Sequence, residues 1–90
     1  MKIVINRCWG GFGLSDIAKM RYIKEAKFVL NEWDIPRDDP VLVSIVEELG
    51  YNSWGHYAEL KVVEIPDGIE WKIEDYDGME KISEEHRTWE

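Results

Sequence analysis

Apolar and polar positions recur along this chain with a period that changes from segment to segment, and the period predicts each element. Over residues 2–7, Ile3 and Ile5 point one way and Val4 and Asn6 the other, a strand with partial cover on both faces. From Asp16 to about Glu32, Ile17, Met20, Ile23, Ala26, Leu30 and Trp33 recur at spacings of three and four, with Lys19, Lys24 and Lys27 on the other side. That spacing predicts an amphipathic helix over 16–32 with Met20 and Ile23 in the core. Ser15 suits its N-cap, and Asp16 suits the positive end of its dipole. Asp39-Pro40 then reads as N-cap followed by first helical position. A second helix is expected over 40–49, with Val41, Leu42, Ile45 and Leu49 inward and Gly50 just past its end.

Residues 59–65 and 69–75 read as strands joined at Pro66-Asp67-Gly68, a β-hairpin. In the second of them Ile69, Trp71 and Ile73 alternate with Glu70, Lys72 and Glu74, so Trp71 and Ile73 are expected inside and Lys72 outside. Met79, Ile82 and His86 fall on one face of an expected last helix over 79–87. The order β-α-α-β-β-α predicts an α+β fold, with helices packed on one face of a three-stranded sheet and one domain over 1–90.

Composition narrows the partners. A chain of 90 residues buries only roughly 60–65% of its unfolded surface, so the core is modest. The net charge of −8 opposes phosphate polymers and anionic membranes, and neither a nucleic-acid polymer nor a membrane is expected as partner. It leaves room for a small nucleotide in a local pocket, or for an acidic protein that imitates DNA. No apolar run approaches the ~20 residues of a membrane span, and Ile3-Val4-Ile5 is too short for a signal peptide. A single cysteine forms no intrachain disulfide, which predicts a cytoplasmic home.

Candidate chemistry centres on Arg7-Cys8-Trp9-Gly10-Gly11-Phe12-Gly13-Leu14-Ser15-Asp16. A strand, a glycine-rich turn and a helix start in succession aim backbone N–H groups and a helix dipole at one spot, which suits phosphate. The segment has neither the dinucleotide fingerprint nor the Gly-Lys-Ser/Thr ending of a P-loop, and a tight strand-to-helix turn explains it equally well. Arg7 and Arg87, with His86, offer cations in the two-point geometry that phosphate accepts. Trp9, Phe12 and Trp54 offer flat faces for a base. The competing account of His86 and Trp89 is that they pin the end of the chain to the core. Cys8 with His56 or His86 would make a nucleophile and base only if the fold joined them. Asp67, Asp75, Asp77, Glu84 and Glu85 match no calcium-loop spacing and read as solvated turns. No cofactor and no catalytic set is expected. The Tyr51–Tyr57 loop concentrates aromatic side chains, which predicts either packing or a homodimer contact.

Residues 3–15, 39–43, 46–50, 62–68, 71–78 and 85–89, which include Asn6-Arg7-Cys8-Trp9-Gly10-Gly11-Phe12-Gly13-Leu14-Ser15 and Glu85-His86-Arg87-Thr88-Trp89, resemble a family of small proteins carried mainly by bacteriophages and prophages. The resemblance covers most of the chain and implies a phage setting with no assigned chemistry. In such a setting the expected function is a binding protein that sequesters a phosphorylated ligand, such as a nucleotide signal of host defence, without turnover. The alternative is an acidic inhibitor that docks on a host protein through Glu47, Glu48, Glu84 and Glu85. A small Cys/His or carboxylate hydrolase is the third reading.

Overall fold

A computed structural model describes residues 1–26 and 32–84, together with the backbone of residues 88 and 89. Strand β1 (Lys2–Asn6) leads through the glycine turn to helix α1 (Asp16–Ala26). A short 3-10 turn (Glu32–Asp34) precedes α2 (Pro40–Leu49), and another (Gly50–Ser53) follows it. Strands β2 (Leu60–Glu64), β3 (Lys72–Tyr76), β4 (Met79–Ser83) and the two-residue β5 (Thr88–Trp89) complete the described order.

The strands do not form one three-stranded sheet. β1 pairs antiparallel with β2, Val4 opposite Val62, while β3 pairs with β4, and β5 adds to the far edge of β4. The expected hairpin between 59–65 and 69–75 is therefore absent. The hairpin that does form turns at Asp77-Gly78, where φ is +51° and +90°. Positive φ at both central residues of a two-residue loop matches the right-handed twist of the flanking strands. The expected helix over 79–87 is corrected in its described part: Met79–Ser83 is strand β4, and residues 85–87 lie outside the described residues. Ile82, fully buried opposite Ile73, serves a strand as well as it would a helix.

These pairings give three layers rather than helices on one face of a sheet. The β1–β2 ribbon lies in the middle. One side packs Val4 and Leu60 against Phe12, Leu14, Ala18, Tyr22, Leu42 and Ile45 of the helical layer. The other packs Ile3, Ile5, Val63 and Ile65 against Ile82, with Trp71 and Ile73 partly buried beside them. Continuous burial of Ile3-Val4-Ile5 follows from this double cover. Trp71 is half-buried rather than buried, and Lys72 is exposed as the alternation requires.

Helix α2 keeps its expected bounds. Asp39 Oδ1 accepts from Val41 N at 2.8 Å, Pro40 sits at the helix start, and Gly50 adopts φ +58° after it. Helix α1 is described to Ala26, and the expected continuation over 27–31, Lys27 and Leu30 included, lies outside the described residues. Its orientation corrects the sequence reading: Ile17 and Met20 are 59% and 71% exposed, and Ile23 is also exposed. Ala18 and Tyr22, one turn apart, are buried instead. The reason is a polar tether. Tyr22 Oη donates to Asp39 Oδ2 at 2.8 Å, so the carboxylate that caps α2 also turns the tyrosine face of α1 inward. Ser15 does cap α1, its Oγ accepting from Ala18 N at 3.1 Å.

Candidate functional site

β1 ends at Asn6, which is fully buried and ties four segments together. Its N–H donates to Glu80 Oε1 (2.8 Å), and its Nδ2 donates to the carbonyls of Cys8 and Gly78 (2.6 Å each). Its Oδ1 accepts from Glu59 N at 2.9 Å. The end of β1, the glycine turn, the hairpin turn and the start of β2 are thus fixed around one satisfied amide.

Glu80 is the second anchor. Its carboxylate lies 3% exposed in β4, held at both oxygens by Arg37 Nη1 (2.5 Å) and Nη2 (2.9 Å) as well as by Asn6 N–H. The Arg37 guanidinium stacks 3.7 Å above the Phe12 ring. Fork-to-fork geometry with added hydrogen bonds is what lets a charged pair persist under a core. The pair joins the hairpin to the rest of the fold.

Against these anchors, Arg7 and Trp9 leave the end of β1 and meet the hairpin. A cavity of about 510 Å³ opens there, lined by Arg7, Trp9, Glu74, Tyr76, Met79 and Lys81, with Asp75 and Glu80 completing its wall. Arg7 Nη1 donates to the Glu80 carbonyl at 2.8 Å. The Trp9 and Tyr76 rings meet edge to face at 5.9 Å, and both are largely solvent-exposed. Register places Tyr76 opposite Met79 and Glu74 opposite Lys81. Because side chains alternate across a strand, these pairs share the hairpin face turned away from Ile73 and Ile82. Glu74 lies 3.7 Å from Lys81 Nζ and 3.8 Å from Lys72 Nζ.

The glycine turn itself is used internally. Leu14 N–H donates to Glu32 Oε2 at 3.0 Å, and Lys19 Nζ stands 3.6 Å from the same oxygen. A protein carboxylate thus takes the Leu14 N–H, within the run where phosphate was expected. Gly10 abuts Tyr57, and a Cβ on Gly55 would lie 2.7 Å from Gly13 C, so these glycines permit close backbone approach. Gly11, at φ +92°, donates its N–H to Cys8 O. Ser15 N–H and Oγ donate to the carbonyls of Ser53 and Asn52. Phe12 is buried beneath Arg37 rather than open to a ligand.

Of the expected site residues, the cavity gathers Arg7 and Trp9. Gly10, Gly11, Phe12, Gly13, Ser15 and Trp54 do not line it. Trp54 is half-buried on the helical core, bridged to Leu14 and edge-on to Tyr51. His86 and Arg87 lie outside the described residues. Cys8 is half-buried, and the exposed His56 meets Tyr57 edge to face at 4.7 Å. Among the described residues no group of three His, Cys, Asp or Glu side chains is arranged to hold a metal ion. Nor is any helix among them long and apolar enough to cross a membrane.

Sequence reasoning missed Tyr76, Met79 and Lys81 as lining residues, and Asn6, Arg37 and Glu80 as their supports. Asp77-Gly78 was the available signal, because reading it as a two-residue hairpin loop sets Tyr76 opposite Met79 at once. No protein-family model, curated protein or solved structure matches the chain.

Proposed function

We propose that the protein binds and holds a small nucleotide in the Arg7–Trp9 cavity without turning it over. The observation that carries this reading is the convergence of Arg7, Trp9, Tyr76, Met79 and Lys81 on one concavity of about 510 Å³. That volume falls inside the roughly 300–1,000 Å³ of small-molecule sites. Trp9 and Tyr76 provide faces on which a base stacks. Arg7 and Lys81 supply cations for a phosphate, and their local field acts where the distant acidic surface is screened within about 8–10 Å. In the phage setting that the resemblance implies, such a protein works in the host cytoplasm as a sponge for a nucleotide signal.

The docking alternative gains less support. Glu47 is tied to Lys2 at 2.8 Å, and Arg21, 2.7 Å from Glu48, holds that carboxyl below its usual range. Two of the four carboxylates that would meet a host protein are thus engaged within the fold.

Calorimetry with a panel of nucleoside monophosphates and cyclic dinucleotides tests the reading. Trp9→Ala is expected to cost about 1–3 kcal/mol of binding, or roughly five- to a hundredfold in affinity. Ligand recovered intact after heating the complex distinguishes holding from hydrolysis, and recovery of cleaved product contradicts the reading. The assembly proposed with it is a homodimer through the loop over 51–57, where Tyr51 and Tyr57 are exposed. Light scattering at tens of micromolar should return twice the monomer mass, and the monomer mass rules the dimer out.

A further inference from the structure

We infer that the cavity selects guanine among the bases through the Glu74 carboxylate, an inference that rests on the nucleotide reading above. Glu74 shares the outer hairpin face with Tyr76, two residues along β3, and so stands beside the ring on which a base would lie. Its two lysine contacts, at 3.7 and 3.8 Å, are ion pairs longer than a hydrogen bond. Lys72 faces Oε1 and Lys81 faces Oε2, yet among the described residues neither oxygen accepts a hydrogen bond and the side chain is 44% exposed, so each oxygen keeps a lone pair for a donor beside its lysine.

An ionised carboxylate only accepts, and it presents two oxygens side by side. Guanine alone among the neutral bases offers two adjacent donors on one edge, N1–H and the N2 amino group. Adenine and cytosine place a donor next to an acceptor, and uracil sets its one N–H between two carbonyls. Each of those three bases would bring at least one lone pair against a Glu74 oxygen. Recognition by paired charge-assisted hydrogen bonds also fixes the ring in its plane, which suits stacking against Trp9. The same electrostatics favour a ligand with few phosphates over a triphosphate, since Arg7 and Lys81 share one cavity with the Glu74 carboxylate.

The test titrates the full chain by calorimetry with GMP, IMP, AMP, CMP, UMP and GTP, and with guanosine and adenosine. GMP is expected to bind roughly tenfold or more tightly than AMP, CMP and UMP. IMP, which lacks the N2 amine, should fall between GMP and AMP, and GTP should bind no better than GMP. Glu74→Gln replaces one acceptor by a donor, a pair that adenine's edge matches better than guanine's, and should bring the GMP-to-AMP ratio to one or below. A urea midpoint equal to the parent's shows that this variant is folded. Guanosine preferred over adenosine without measurable gain from phosphate would keep the base assignment and remove the phosphate contact. Binding of all bases alike, or a guanine preference untouched by Glu74→Gln, overturns the inference and leaves the cavity as a nucleotide site. No heat with any of the ligands overturns both.

Discussion

Tyr22 illustrates how one side chain can set the orientation of a helix. Its hydroxyl is pushed up to about 12, by burial first and then by the hydrogen bond and charge of Asp39. An unfolded tyrosine ionises near 10. The folded chain therefore holds a proton that the unfolded chain gives up between those values. This contribution to stability is complete below about pH 10 and is lost as pH rises through about 12. Tyr22→Phe is expected to flatten the fall in urea midpoint over that window. Parent and variant curves that fall in parallel would assign the alkaline loss to another group. The helical period of α1 was legible, but which side faces the core was not. Ile17, Met20 and Ile23 make the more apolar stripe, and a pattern count favours them. The Tyr22–Asp39 bond spans 17 positions and crosses a chain break in periodicity, so no local window contains it.

At the scale of elements the decisive choice lay between two Asp-Gly pairs. Asp67-Gly68 follows a proline and turns the chain out of β2, whereas Asp77-Gly78 closes the hairpin. Both carry a glycine at positive φ, and only the second lies under packing constraint: a Cβ on Gly78 would stand 2.5 Å from Gly11 N and 2.6 Å from Trp9 O. A Cβ on Gly68 would meet nothing within 4 Å. Gly78→Ala is accordingly expected to cost about 2–4 kcal/mol, from backbone strain plus collision, and Gly68→Ala about 1–2 kcal/mol, from strain alone. Denaturant midpoints with equal slopes measure both. Equal losses would mean that the hairpin turn does not press on the glycine turn. The bounds of helix α2, with its Asp-Pro start and glycine end, were readable because the signals that define them are local. Its buried face was read in part, since Leu42 and Ile45 are buried as expected but Val43 and Val46 are buried where Val41 and Leu49 are half-buried. The third strand of the expected sheet was not, since sheet partnership depends on contacts far apart in the chain.

For the molecule as a whole, the β1–β2 ribbon depends on a hairpin to cover its second face. The charged link between them is the Glu80 carboxylate, shared by Arg37 and Asn6. Glu80→Ala leaves the 17%-exposed Arg37 side chain without that partner and is expected to cost about 3–5 kcal/mol. That is a large share of the stability of a domain this small. Urea denaturation measures it, and a loss under about 1 kcal/mol would make the pair a bystander. A buried glutamate cannot be foreseen from sequence, because glutamate is ordinarily solvated and its cation here lies 43 positions away. One wall of the candidate cavity, Arg7 and Trp9, was legible because aromatic and cationic residues flank glycines in one short run. The rest of the lining comes from the hairpin, whose face became readable only with its register.

The joining of Arg7 to Glu80 also sets when the cavity can exist during synthesis. A nascent chain that has emerged through residue 70 contains β1, both helices and β2, yet none of the hairpin residues that line the opposite wall. The Gly78 carbonyl and the Glu80 carboxylate that complete the shell of Asn6 are missing too. Contacts of such sequence separation form slowly because the loop must close before they repay its entropy. An immature chain at the ribosome therefore has no cavity to offer. Under the proposed function, capture would begin only with chains that have folded through the hairpin, and the effective dose would rise with completed molecules rather than with translation in progress.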